Sequence, residues 1–200
     1  MTPVAPGESF LDWWFAPWSY ARGSVLPSNR SALGRRDAYR DWCRLAGVTP
    51  DLPARGDLRW QIEIRDGDQF RHAATLYGGL FAARRRDEAD LACLAPAQRR
   101  WCLGVALAQP LQAWATPLAG DPCGSGLVEL ALRMERAFPG LWSRLRLLLP
   151  DREIERVEHA LLAAPSSLPS QPRERERNCW QLCLAQARAG SRSSWAPLAT

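Results

Sequence analysis

The sequence predicts a mainly α-helical protein: a single helical domain of roughly seven to nine helices, with at most a minor β element near residues 58–64. Three observations lead there. Apolar residues recur at three- and four-residue spacing through most of the chain, which is the period of one helix face. Strict alternation of apolar and polar residues occurs in one short stretch only. The periodic segments end at helix-stopping residues such as Gly47 and the pair Pro139-Gly140. With 200 residues, 46% of them hydrophobic and 24% charged, the chain can bury one core but is short for two.

Residues 1–30 read as an aromatic N-terminal segment ahead of the first clear helix. Trp13, Trp14, Phe15, Trp18 and Tyr20 crowd into eight positions around Pro17. The helical body spans 31–163. Its first helix runs from Ser31, a capping residue type, to Gly47, with Ala38, Tyr39, Trp42, Leu45 and Ala46 on one face. Leu58, Trp60, Ile62 and Ile64 alternate with Arg59, Gln61, Glu63 and Arg65, so 58–64 reads as one lone strand or extended segment. No second alternating run follows to pair with it.

Asp68 is the expected N-cap of the next helix, whose stripe is Phe70, Ala73, Ala74, Tyr77, Leu80 and Phe81. Gly78-Gly79 interrupt that stripe where another backbone can approach closely. Arg84, Arg85 and Arg86 end it, since cations suit the negative C-terminal end of a helix. A short segment follows from Glu88 to Leu94. Pro96 then opens a helix carrying Trp101, Cys102, Val105 and Leu107. Pro110, Pro117 and GDPCGSG at 120–126 read as a loop, a candidate hinge between helical halves. Beyond it, Leu127, Leu130, Ala131, Met134 and Phe138 form a helix stripe, Trp142 to Leu149 a short helix, and Ile154, Val157, Leu161 and Leu162 a third face capped by Asp151. Residues 164–172, APSSLPSQP, are a linker; 173–189 are a C-terminal helix led by alternating charges; 190–200 read as a loose tail.

The chemistry-bearing residues are sparse. His72 and His159 are the two histidines, each on a predicted helix and neither in a recognisable nucleophile motif. Cys179 and Cys183 share a helix face, but structural zinc wants two such pairs, so packing is the expectation and no metal site is assigned. GDPCGSG lacks the Lys-Ser/Thr ending of a phosphate loop. No catalytic residue and no cofactor emerge, and a non-enzyme is expected.

The net charge is +5, and all 26 basic residues are arginine. Codon bias from a GC-rich genome is the favoured explanation of this exclusive use, while arginine's planar fork also suits interface ion pairs. Arg84 to Arg86 are followed at once by Asp87, Glu88 and Asp90, and Glu174 and Glu176 sit among the late arginines. A surface that tracks nucleic acid is more one-signed, so nucleic acid is not the expected partner. The same arginines are candidates for an acidic protein partner. There is no charged n-region, the first basic residue being Arg22, and no apolar run of membrane-span length. A reducing, cytoplasmic setting is the expectation.

The pattern Phe15-Ala16-Pro17, then Tyr20, then Leu26-Pro27 resembles the opening of the SctK family (the YscK and PscK type), accessory proteins of bacterial type III secretion. The stretch 76–111, a leucine- and glycine-containing helix, an arginine-bearing segment and a second helix ending near Leu111, is similar to the family as well. In the family's place for a His-Pro-Ser-rich spacer this chain has Ala21-Arg22-Gly23-Ser24. The alternating stretch 58–64 has no counterpart there.

The resemblance implies a non-enzymatic adaptor, monomeric in isolation, at the cytoplasmic face of the injectisome and not inserted in the membrane. Its partners would be the cytoplasmic domain of the inner-membrane ring protein (SctD) and the pod protein of the sorting platform (SctQ). The candidate contacts are Trp13, Trp14, Phe15, Pro17, Trp18 and Tyr20, with Arg84, Arg85 and Arg86. Phe15, Pro17 and Tyr20 are expected chiefly to lock the N-terminus onto the body, and Trp13, Trp14 and Trp18 to show a face to a partner. Two rivals stand beside this reading. One is a small helical enzyme whose residues meet only in three dimensions, for which a pocket joining a histidine to a cysteine or carboxylate would speak. The other is an arginine-rich nucleic-acid-binding module.

Overall fold

In the computed structural model, residues 5–23, 32–165 and 167–193 are described. They form nine α-helices and no strand: α1 (Glu8–Phe15), α2 (Ala32–Leu45), α3 (Gly67–Arg85), α4 (Glu88–Ala92), α5 (Pro96–Ala108), α6 (Pro122–Ala137), α7 (Leu141–Leu145), α8 (Asp151–Leu162) and α9 (Glu174–Ser193). The expected Ser31 cap and the Leu26-Pro27 pair lie outside the described residues.

Two helices make the centre. α3 is buried almost all round from Phe70 to Ala83, and α6 from Pro122 to Ala137, so neither has a polar face turned outward along most of its length. They meet backbone to backbone. A Cβ on Gly78 would lie 1.9 Å from the Pro122 carbonyl oxygen, and one on Gly126 would lie 1.9 Å from that of Ala74. Only glycine permits this crossing at both positions. GDPCGSG is therefore not a hinge. Asp121 caps α6 by accepting from the Gly124 N–H at 2.8 Å, and Gly124 to Gly126 are helical. The other helices surround this pair, α5 and α9 against α3, and α7 and α8 beside α6.

The 58–64 stretch corrects the strand expectation. Leu58–Trp60 is a single 3₁₀ turn capped by Asp57, and the chain then runs extended and unpaired. With no neighbouring strand, its alternation records one-sided burial: Trp60 and Ile64 point into the core. Its polar groups are met by the N-terminal segment. Trp13 Nε1 donates to the Ile64 carbonyl at 2.8 Å, the Gly7 N–H to Gln61 Oε1 at 3.4 Å, and Ser9 to Glu63.

α9 continues past the expected end at 189 to Ser193. A buried ion cluster anchors its start. Arg133, fully buried, pairs with Glu129 and, at 3.0 Å, with Glu176. Glu129 accepts from the Trp114 and Ala115 N–H groups, and Glu176 from that of Arg173 at 2.6 Å. Glu176 thus serves the core and does not neutralise the late surface arginines. Cys102, Cys179 and Cys183 are buried, and burial pushes the Cys102 thiol up to about 12 and that of Cys179 to about 11. No described helix is long and apolar enough to cross a membrane.

Candidate functional site

The N-terminal segment divides into an anchor and an exposed edge. Phe10, Trp13 and Trp14 are spaced i, i+3, i+4 and form the buried face of α1. Trp13 stacks on Tyr20 with centroids 4.8 Å apart, and Phe10 and Trp14 both meet the edge of Phe138. Pro17 starts a 3₁₀ turn and is buried. Trp13 and Trp14 are 0% exposed, so the expectation that they show a face to a partner is wrong: Trp13 finds Tyr20 and the Ile64 carbonyl inside the core, and Trp14 finds Phe138. Pro17 and Tyr20 also lie inside. Phe15, 42% exposed, and the half-buried Trp18 remain at the surface.

An arginine holds the anchor. Arg144 is fully buried, with its guanidinium carbon 3.4 Å from the Trp14 ring centroid. Nε donates to the Trp14 carbonyl at 3.3 Å, and Nη2 to the Thr49 carbonyl at 2.8 Å and to the Tyr39 hydroxyl at 3.1 Å. Among the described residues no carboxylate pairs with it. Burial lowers its pKa, yet a guanidinium remains charged at neutral pH. Burial also raises the hydroxyls of Tyr20 and Tyr39, against the pull of Arg144. The Tyr39 hydroxyl in turn donates a hydrogen bond to the Pro50 carbonyl at 2.5 Å. One cation therefore ties α1, α2 and the 49–50 loop to α7.

Beyond Tyr39 lies an open cleft of about 460 Å³ between the end of α1 and α2. Phe15, Trp18 and Tyr39 form its apolar floor, with both outer rings edge-on to Tyr39 at 5.7 and 6.0 Å. Arg35, Arg36 and Arg40, all exposed, stand around it together with Asp51. Among the described residues none of these three arginines makes an ion pair. Sequence reasoning singled out Phe15 and Trp18 but missed the three arginines. Their signal was available: Arg36 and Arg40 are four apart, and Arg35 and Arg36 precede Tyr39 by four and three residues, which puts them beside it on the helix surface.

The arginine triplet at the end of α3 is elsewhere and only partly free. Arg85 pairs with Asp90 at 3.3 Å, and Asp90 in turn accepts from the Gly120 N–H at 2.7 Å. Arg85 is thus part of a structural clasp between α3, α4 and the 118–121 turn. Arg84 and Arg86 are exposed, and Arg86 caps α3 in the left-handed conformation with φ 58°. No contact joins this triplet to the aromatic segment among the described residues.

Each histidine occupies a distinct setting. Gln98 fixes one: its Oε1 accepts from the Ala95 N–H, leaving Nε2 to donate to His72 Nε2 at 3.0 Å. Burial lowers the His72 pKa. His159 lines a second open cleft of about 420 Å³ with Asp121, Glu155 and Arg156. Asp121 is already engaged there, capping α6 and pairing with Arg156 at 2.9 Å. No group of histidines, cysteines and carboxylates among the described residues is arranged to hold a metal ion. Comparison with protein-family models, curated proteins and solved structures finds no match for this chain.

Proposed function

We propose that this protein is a non-enzymatic helical adaptor, and that its place is the sorting platform of a type III secretion apparatus, at the cytoplasmic face of the inner membrane. There it would join the ring protein's cytoplasmic domain to the pod protein. One observation carries the adaptor reading. The N-terminal aromatic segment is split so that Phe10, Trp13, Trp14 and Tyr20 fix it to the body while Phe15 and Trp18 stay at an arginine-rimmed cleft. Aromatic and arginine side chains on a rigid support are the composition of interface hot spots. The secretion context rests on the likeness of Phe15-Ala16-Pro17 and Tyr20 to the SctK opening. The contact set narrows accordingly to Phe15 and Trp18, with Arg84 and Arg86 as the remaining free members of the triplet.

The experiment is recovery of tagged protein from a secreting bacterium, with the bound proteins identified by mass spectrometry. The adaptor reading expects both the ring and the pod proteins, and their loss from Phe15→Ser protein. Recovery of neither overturns it. A second reading has its own observation: His159 shares a cleft with Asp121 and Glu155, as a small helical enzyme would require. Turnover of a substrate that disappears in His159→Gln would establish that reading in place of the first.

A further inference from the structure

We infer that the cleft between α1 and α2 is a docking site for an acidic peptide segment that carries one large apolar side chain between its carboxylates. The floor is apolar: Phe15 and Trp18 flank Tyr39, whose hydroxyl is engaged by Pro50 and Arg144. An occupant must therefore bring apolar surface to displace water from these rings. The rim is cationic. Arg35, Arg36 and Arg40 rise from successive turns of α2, spread along about 7.5 Å of helix axis, and none has an ion-pair partner among the described residues. Arg36 and Arg40 are like charges at i, i+4, an arrangement that destabilises a helix by a few tenths of a kcal/mol until an anion lies between them. Asp37 and Asp41 lie on the same helix, yet Asp41 pairs with Arg44 at 3.1 Å, away from the cleft.

The spread of the guanidinium groups favours separated carboxylates over one compact anion. Asp51, on the opposite wall, sets a negative charge against a continuous phosphate backbone or a lipid surface. Charge complementarity with the arginine rim selects a segment of another protein as the occupant. Residues 1–4, 24–31, 166 and 194–200, which lie outside the described parts, contain no aspartate or glutamate. The site is also pre-formed. Arg144 holds Tyr39, Trp14 and the 49–50 loop in one network, so the cleft walls are fixed before a ligand arrives.

This inference rests on the adaptor reading only in taking the ligand to be a protein segment, and its test needs no named partner. Random peptides displayed on phage are selected against the full-length protein. The expected consensus is two or more Asp or Glu flanking a Trp, Phe or Leu. A synthetic peptide of that consensus should bind about tenfold more weakly to Arg36→Gln/Arg40→Gln and to Phe15→Ser, with unchanged binding by Arg100→Gln/Arg188→Gln, two exposed arginines outside the cleft, as the charge control. Both substituted sites are exposed, and circular dichroism checks that each variant is folded. Selection of neutral or basic peptides, or of none, would overturn the inference. So would binding of phosphatidylserine vesicles or a 20-mer oligothymidine that is lost in the same arginine pair. Self-association that the pair abolishes would assign the cleft to a second copy and overturn it as well. Failure of the selection would leave the secretion pull-down untouched, and failure of the pull-down would leave the selection untouched.

Discussion

Replacing Gly78 by alanine separates two opposing physical effects. Alanine is the better helix former by about 1 kcal/mol, so propensity alone predicts stabilisation. The structure predicts the reverse. The added Cβ would sit 1.9 Å from the Pro122 carbonyl oxygen and 2.9 Å from the Gly126 nitrogen, where real side chains keep at least 3.0 Å. Both obstacles are backbone, so α3 and α6 must part by about 1 Å, and a gap of that size forfeits up to half of each dispersion contact along the seam. Overpacking against an unyielding wall costs about 3 kcal/mol. Net of propensity, the loss is about 2 kcal/mol, or a Tm lower by about 4–8 °C for a chain of this length. Gly104 on α5 is the internal control, because a Cβ there meets nothing within 4 Å. Gly104→Ala should raise stability by up to about 1 kcal/mol. Thermal and urea unfolding followed by circular dichroism read both. A Gly78→Ala protein as stable as the parent would refute the backbone crossing of α3 and α6.

Further expectations concern the anchor, a helix end and pH. Arg144→Met should destabilise by about 2–3 kcal/mol, since the Thr49 and Trp14 carbonyls lose their buried donor; unfolding in urea measures it, and a more stable variant would show that burying the charge outweighs its hydrogen bonds. Arg86→Gly should stabilise by a few tenths to about 1 kcal/mol by relieving a left-handed arginine, φ 58°, read as a higher urea midpoint. His72 has a folded pKa below its unfolded value of about 6.5. In that window the unfolded chain binds more protons, so the His72 contribution is intact at pH 7 and is lost as pH falls below about 6.5. His72→Gln should flatten stability between pH 7 and 5, and an unchanged slope would mean that another group titrates there.

Much of the fold was legible where one helix met one apolar stripe. Phe70, Ala73, Ala74, Tyr77 and Leu80 marked α3, and Gly78-Gly79 marked the close approach. The errors share a cause: local pattern reports burial, not the partner. Trp60 and Ile64 alternate with polar residues because one side of an extended chain faces α1, with no ladder involved. GDPCGSG runs into a helix start because Asp121 caps α6 and Gly126 serves the crossing of α6 with α3. α1 itself was missed, although Phe10, Trp13 and Trp14 carry helical spacing over its eight residues. Of the candidate site, Trp18 was legible as a ring with a face outward, whereas Phe15 was expected to lock the N-terminus and is instead 42% exposed. Arg144 was hidden, since nothing local marks an arginine that will lie on Trp14 from 130 residues away.

In the function proposed here, a partner docks in the cleft between α1 and α2. Amide hydrogen exchange of the complex recovered with the tagged protein from secreting cells tests it most directly. Docking in this cleft slows exchange, relative to the free protein, at residues 15–18 and 33–44, with 155–162 unchanged. Protection confined to the His159 cleft, or protection nowhere on the chain, would contradict it.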